Sequence, residues 1–103
     1  MGDDGRSQKQ LHFVFMKYDP EYERLQSDRY GCRTKRGVRE VEMYLSKKHN
    51  DLLAKTLEPG TYTKTLSLFI VDAFAAQITD AQANVLRSAK EVRVVEKNQE
   101  LAN

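Results

Sequence analysis

The stretch Leu11-His12-Phe13-Val14-Phe15-Met16-Lys17-Tyr18 limits the possible folds of this chain more than any other segment. It is rich in aromatic and β-branched residues and is followed by Asp19-Pro20, the pattern of a strand closed by a turn. Both of its sides are apolar: Leu11, Phe13 and Phe15 on one, Val14, Met16 and Tyr18 on the other. A strand covered on one face only alternates apolar with polar residues, so this one either lies centrally in a sheet or carries a partner over its second face.

The chain has 103 residues, 40% of them hydrophobic and 31% charged. That is enough for one domain with one core, and too apolar for wholesale disorder. Seventeen Lys and Arg against fifteen Asp and Glu leave a net charge of +2, with both signs mixed along most of the chain. Bulk charge therefore does not direct it to nucleic acid. A single cysteine, Cys32, excludes an internal disulfide framework and any thiolate-rich metal site. The start, Met1-Gly2-Asp3-Asp4-Gly5-Arg6, lacks the basic and apolar regions of a signal peptide, and Arg6 stands where a myristoylation signal needs Ser or Thr. The expectation is a cytoplasmic protein if the chain is complete as given, an extracellular or secretory-pathway one if it is an excised piece, and in neither case a membrane partner.

Along the chain, residues 1–10 read as a flexible tail. Residues 19–36 turn polar and charged and read as a long mobile loop inside the domain, within which Asp19 and Pro20 could cap and start one helical turn. Residues 37–57 carry Val38, Val41, Leu45, Leu52, Leu53 and Leu57 at helical spacing, ended by Glu58-Pro59-Gly60. His49 falls on or beside that stripe and reads as a partly buried histidine with a polar nitrogen at the rim. Residues 62–70 and 73–78 are β-favouring and joined near Val71-Asp72, a hairpin. Thr79-Asp80-Ala81-Gln82 has the form of a capping box, opening a helix to about residue 89 with Val85, Leu86 and Ala89 inward. Residues 92–96 form a last strand. The order strand, helix, strand, strand, helix, strand predicts an α+β ferredoxin-like sandwich: a four-stranded antiparallel sheet, two helices on one face, the other face open.

Fold alone does not give function. Catalysis would need a nucleophile beside a base, and the candidates, Cys32 with His12 or His49, are not linked by any motif. Two histidines set apart by helix and loop are a poor metal site, and ferredoxin-like metal carriers use paired cysteines that are missing here. The chain is therefore expected not to be an enzyme and to need no metal or cofactor. A single-stranded RNA-binding module shares this strand order and stacks bases on aromatics of its first and third strands, and Phe13, Phe15 and Phe74 supply part of that set. The third strand, Asp72-Ala73-Phe74-Ala75-Ala76-Gln77-Ile78, lacks the basic residue, the glycine and the second aromatic of the pattern, so RNA binding stands as the alternative.

A run of features in order carries a resemblance. Lys47-Lys48-His49-Asn50-Asp51-Leu52-Leu53 resembles a basic-His-Asp-Leu-Leu helix segment, and Gly60-Thr61-Tyr62-Thr63-Lys64-Thr65-Leu66-Ser67-Leu68 a following strand. Asp72-Ala73-Phe74-Ala75-Ala76 resembles Asn-Gly-Phe-Ala-Ala, and Thr79-Asp80-Ala81-Gln82-Ala83 a Thr-x-x-Gln-Ala helix start. Together with the opening strand from Leu11 to Met16, the likeness is to the propeptide domain of subtilisin-like serine proteases, most closely the plant branch. The chain departs from that pattern in a shorter hairpin, in Ala73 for glycine, in Lys90-Glu91-Val92 for Pro-Gly-Val, and in Leu66 and Leu68 for tyrosines.

The resemblance implies an inhibitor of a subtilisin-like serine protease, either stand-alone or an excised prodomain, with chaperone activity toward its enzyme. Residues 11–98 would form the inhibitor domain, monomeric when free. The open sheet face, with Phe13 and Phe74, would dock on two surface helices of the protease. Glu96 and Asn98 alternate at the end of the last strand, pointing the same way in an extended chain, and match positions where the family caps those helices. Residues 99–103, Gln99, Glu100, Leu101, Ala102 and Asn103, would lie product-like in the active-site cleft.

Overall fold

A computed structural model of the protein describes residues 8–32, 35–68 and 70–98. The chain runs β1 (Gln10–Met16), α1 (Pro20–Cys32), α2 (Lys35–Thr56), β2 (Thr63–Leu68), β3 (Ala73–Ile78), α3 (Asp80–Arg87) and β4 (Val92–Lys97). The strands form one antiparallel sheet in the order β2-β3-β1-β4, which is the ferredoxin-like arrangement. β1 is thus central, bonded to β3 on one edge and β4 on the other, as its double apolar character requires.

One face of the sheet carries the core. Val14 and Met16 of β1, Phe74, Ala76 and Ile78 of β3, and Val92 and Val95 of β4 pack against Leu52, Leu53 and Leu57 from α2 and its end and Ala83 and Leu86 of α3. α2 is divided along its length. Its C-terminal half meets the sheet, while Val41 and Leu45 in its N-terminal half form a second cluster with Tyr22 of α1, flanked by Leu25 and Tyr44.

α1 corrects the expectation of a long loop over residues 19–36 and makes the helices three rather than two. The single capped turn foreseen at Asp19 is real and continues: Asp19 Oδ1 accepts the Glu21 N–H at 3.0 Å, Pro20 takes the first helical position, and Glu21 and Glu23 favour the positive helix start. Tyr22, Leu25 and Gln26, at helical spacing, turn inward. What continues the helix is the contact with α2, since α1 by itself has too narrow an apolar stripe to stand alone in water.

Local signals account for the joints. Glu58-Pro59-Gly60-Thr61 makes a turn in which Pro59 sets one φ, Gly60 adopts φ 82°, and the Thr61 N–H bonds the Glu58 carbonyl at 3.2 Å. The capping box at α3 forms on both sides: Thr79 Oγ1 accepts the Gln82 N–H at 3.1 Å and Gln82 Oε1 accepts the Thr79 N–H at 2.9 Å. Gln82 Nε2 also reaches Thr61 Oγ1 at 2.9 Å, tying α3 to the segment that leads into β2. Val85 departs from expectation: it is 44% exposed, because the inward stripe of α3 runs through Ala83 and Leu86.

Candidate protein-docking face

Among the described residues no helix covers the second face of the sheet. Register places its side chains in rows: Leu66, Ala75, Phe13 and Glu96 lie side by side across β2, β3, β1 and β4, and Leu68, Ala73, Phe15 and Val94 form the next row. Thr63, Gln77 and Leu11 make a third, more polar row. Leu11, Phe13 and Phe15 are half-buried, whereas Ala73 and Ala75, short side chains between larger ones, are wholly enclosed. The centre is therefore a continuous apolar patch, the kind of surface that isolated domains seldom leave bare without use.

Two β-bulges shape this face. In β2 the register shifts between Lys64 and Leu66, so Thr65 is the extra residue, and its hydroxyl bonds the Ala75 carbonyl at 2.9 Å. In β4, Phe15 pairs with Val94 and Met16 with Val92, which leaves Arg93 unpaired in the ladder. The bulge turns the Arg93 side chain onto the open face, where its guanidinium lies over the Phe15 ring, 5.6 Å from the centroid.

The expected contact residues separate clearly. Phe13 lies on the open face, and Glu96, exposed, stands directly across from it. Asn98 is exposed just beyond β4, its backbone N–H held by the Leu11 carbonyl at 2.8 Å. Gln99, Glu100, Leu101, Ala102 and Asn103 lie outside the described residues. Phe74 is a correction. It pairs with Val14 on the helix-covered side, has no exposed surface, and packs its ring 4.8 Å from that of His49, so it belongs to the core and cannot meet a docked partner. The same burial removes one stacking aromatic from the RNA-binding alternative: on the open face β3 offers Ala73, Ala75 and Gln77.

Sequence reasoning missed a polar cluster under α2. His49, expected with a nitrogen at the rim, is fully buried with both ring nitrogens engaged: Nδ1 with Ser67 Oγ at 2.8 Å and Nε2 with Asp72 Oδ1 at 2.8 Å. The bonds run in one consistent direction. Lys64 Nζ donates to Ser67 Oγ at 3.1 Å, Ser67 to His49 Nδ1, and His49 Nε2–H to Asp72, whose other oxygen takes Lys48. Lys48 also reaches Asp19 Oδ2 at 2.8 Å, and that oxygen accepts the Tyr44 hydroxyl at 2.6 Å. This arrangement suits a neutral imidazole. Burial drives the His49 pKa down, against the pull of Asp72 and with the help of Lys64 and Lys48. At Asp19 burial raises the pKa, but the bonds from Lys48 and Tyr44 outweigh it and hold the carboxyl below its usual range. Tyr44 is pushed up by burial and by Asp19.

Ser67, His49 and Asp72 are the residue types of an acyl-transfer triad. Here the imidazole is sealed and the hydroxyl is held by Lys64, so the chain of bonds acts as a tie. It joins α2 to β2, to the β2–β3 turn and, through Asp19, to the start of α1. The other buried histidine, His12, is likewise structural, with Nδ1 bonded to the Gln10 carbonyl at 2.8 Å and Nε2 3.6 Å from Asp80 Oδ1. Among the described residues no group of three or more His, Cys, Asp or Glu side chains converges as a metal site. No helix among them is long and apolar enough to cross a membrane.

Comparison with protein-family models, with curated proteins and with solved structures finds no match to this chain.

Proposed function

We propose that this chain is a propeptide-type inhibitor of a subtilisin-like serine protease, docking by its open sheet face and laying its C-terminal tail product-like in the active-site cleft. The observation that carries the reading is the uncovered apolar face itself, with Phe13 and Phe15 at its centre and the acidic Glu96 at its β4 edge. A face of this composition calls for a protein partner that buries apolar area and meets a carboxylate at the rim. Exposed surface helices provide both, because a helix N-terminus leaves N–H groups that a carboxylate satisfies. Two segments that carry the sequence resemblance lend support: Lys47 to Leu53 lies in the half of α2 that covers the sheet, and Thr79 to Ala83 at the capped start of α3.

Inhibition of a panel of subtilisin-like proteases, with chymotrypsin-like enzymes as controls, tests the proposal. A docking face of standard size, about 1,600 Å² in total, supports nanomolar inhibition if it is preorganised. Folded protein that inhibits none of the subtilisin-like enzymes refutes it. If instead it binds single-stranded RNA in a salt-dependent way that Phe13→Ala weakens, the RNA alternative takes its place.

A further inference from the structure

Among the described strand residues Arg93 is the one cation on the open face, and the sheet departs from regular pairing to put it there. Without the bulge, β4 would alternate strictly between the two faces; with it, Arg93 and Val94 fall consecutively on the open side while Val92 and Val95 both stay in the core. Among the described residues no carboxylate pairs with Arg93; its contact is the face of the Phe15 ring. A guanidinium held over a ring by a cation–π contact makes no hydrogen bond in doing so, and its planar fork suits a carboxylate held by two parallel hydrogen bonds. Glu96 stands on the same face three residues on, about 10 Å along the strand at 3.3 Å per residue. The β4 side of the face therefore presents a cation held over a ring and an exposed anion, their backbone positions about 10 Å apart, beside an apolar centre.

Resting on the docking reading above, we infer that Arg93 is a specificity residue: the protease surface that this face selects carries an acidic side chain opposite Arg93, about 10 Å from the group that meets Glu96. Subtilisin-like proteases with a neutral or basic residue at that point are discriminated against, since docking would strip water from an unpaired guanidinium. The bulge serves this role by aiming the side chain, and Phe15 by stiffening it before the partner arrives.

The test is the inhibition constant and association rate of wild type, Arg93→Lys, Arg93→Ala and Arg93→Glu toward a subtilisin-like protease that the wild type inhibits, at low and high salt. Melting temperatures control for folding. Arg93→Ala should weaken inhibition about tenfold and Arg93→Glu about a hundredfold at low salt, with the gap narrowing at high salt, as expected of a charged contact near the edge of an interface. Arg93→Lys should retain part of the affinity, keeping the charge but losing the fork. Equal inhibition by wild type and Arg93→Glu at low salt overturns this inference and leaves the docking reading standing. A loss with Arg93→Glu that salt does not change also overturns it, since a merely structural role predicts that result. No inhibition by the folded wild type overturns the docking reading and this inference with it.

Discussion

Mild acidification, from pH 7.5 to 5.5 and above the range in which the carboxylates titrate, should destabilise this domain through His49. In the folded chain burial holds its pKa below the ordinary 6.5, whereas in the unfolded chain it titrates normally. Between the two pKa values the unfolded state binds a proton that the folded state refuses. Stability is therefore complete above about pH 6.5 and declines as pH falls from there toward the folded pKa, by at most about 1.4 kcal/mol per pH unit for one proton. His49→Gln can keep one of the two bonds and removes the titration. It forfeits the ring contact with Phe74 at 4.8 Å and leaves either Ser67 or Asp72 short of a partner, a loss of about 1–3 kcal/mol from the unsatisfied group. Urea titrations of both proteins at pH 7.5 and pH 5.5 provide the assay. Wild type should lose midpoint on acidification, while the variant should start lower and lose less, which separates His49 from His12 and from every carboxylate common to both. A wild-type midpoint that is flat or rises on acidification, or an equal loss in the variant, refutes the reasoning.

Thr79→Ala removes one half of the α3 capping box and should cost about 1 kcal/mol by denaturant titration, with inhibition unchanged. Phe13→Ala should weaken protease inhibition about five- to tenfold, because completing the burial of a half-buried ring at the centre of the docking face contributes about 1–1.5 kcal/mol. Phe74→Ala should do the opposite, costing about 3–5 kcal/mol of stability in urea, since it empties the core under α2. Leu101→Ala should raise the inhibition constant about tenfold, and deletion of residues 99–103 should raise it more while leaving the urea midpoint unchanged, because those residues follow β4. Refolding of a denatured subtilisin-like protease should give a higher yield with the protein than without it, if binding the native-like enzyme favours its folding.

Where the sequence was legible, the signal was local or strictly periodic. β1 announced a central strand by being apolar on both sides, and the Thr79-Gln82 box was readable to the atom because its partners are three residues apart. α1 was not readable beyond its cap, because Tyr22 and Leu25 are too few to make a stripe and the helix exists through its contact with α2. The side on which Phe74 falls was hidden by Ala73, Ala75 and Ala76 around it: alternation carries no information when both faces are apolar. Nor could Val92-Arg93-Val94-Val95 reveal which residue is the extra one, since a bulge is defined by the partner strand. The bonds of His49 bridge separations of 18 and 23 residues, beyond the reach of any spacing rule.

The two faces of the sheet solve opposite problems. On the covered side the Lys64-Ser67-His49-Asp72-Lys48 chain fixes α2 by directional bonds, so the helix is held without drawing on the apolar residues of the other side. On the bare side the usual hazard is association with further copies through exposed edges or apolar area. Both edges are blunted. β2 carries a bulge, and on β4 the Val95 carbonyl is already taken by Arg87 Nη2 at 3.0 Å. The apolar centre is blunted too, since Ala73 and Ala75 are shaded by their neighbours and Phe15 lies beneath Arg93. What stays accessible among the described residues is a surface with charges at one edge, and on the proposed reading it should favour a partner of matching pattern over a second copy of itself. An inhibitor has that requirement: it must persist alone until the enzyme is met, and must lose little order on binding.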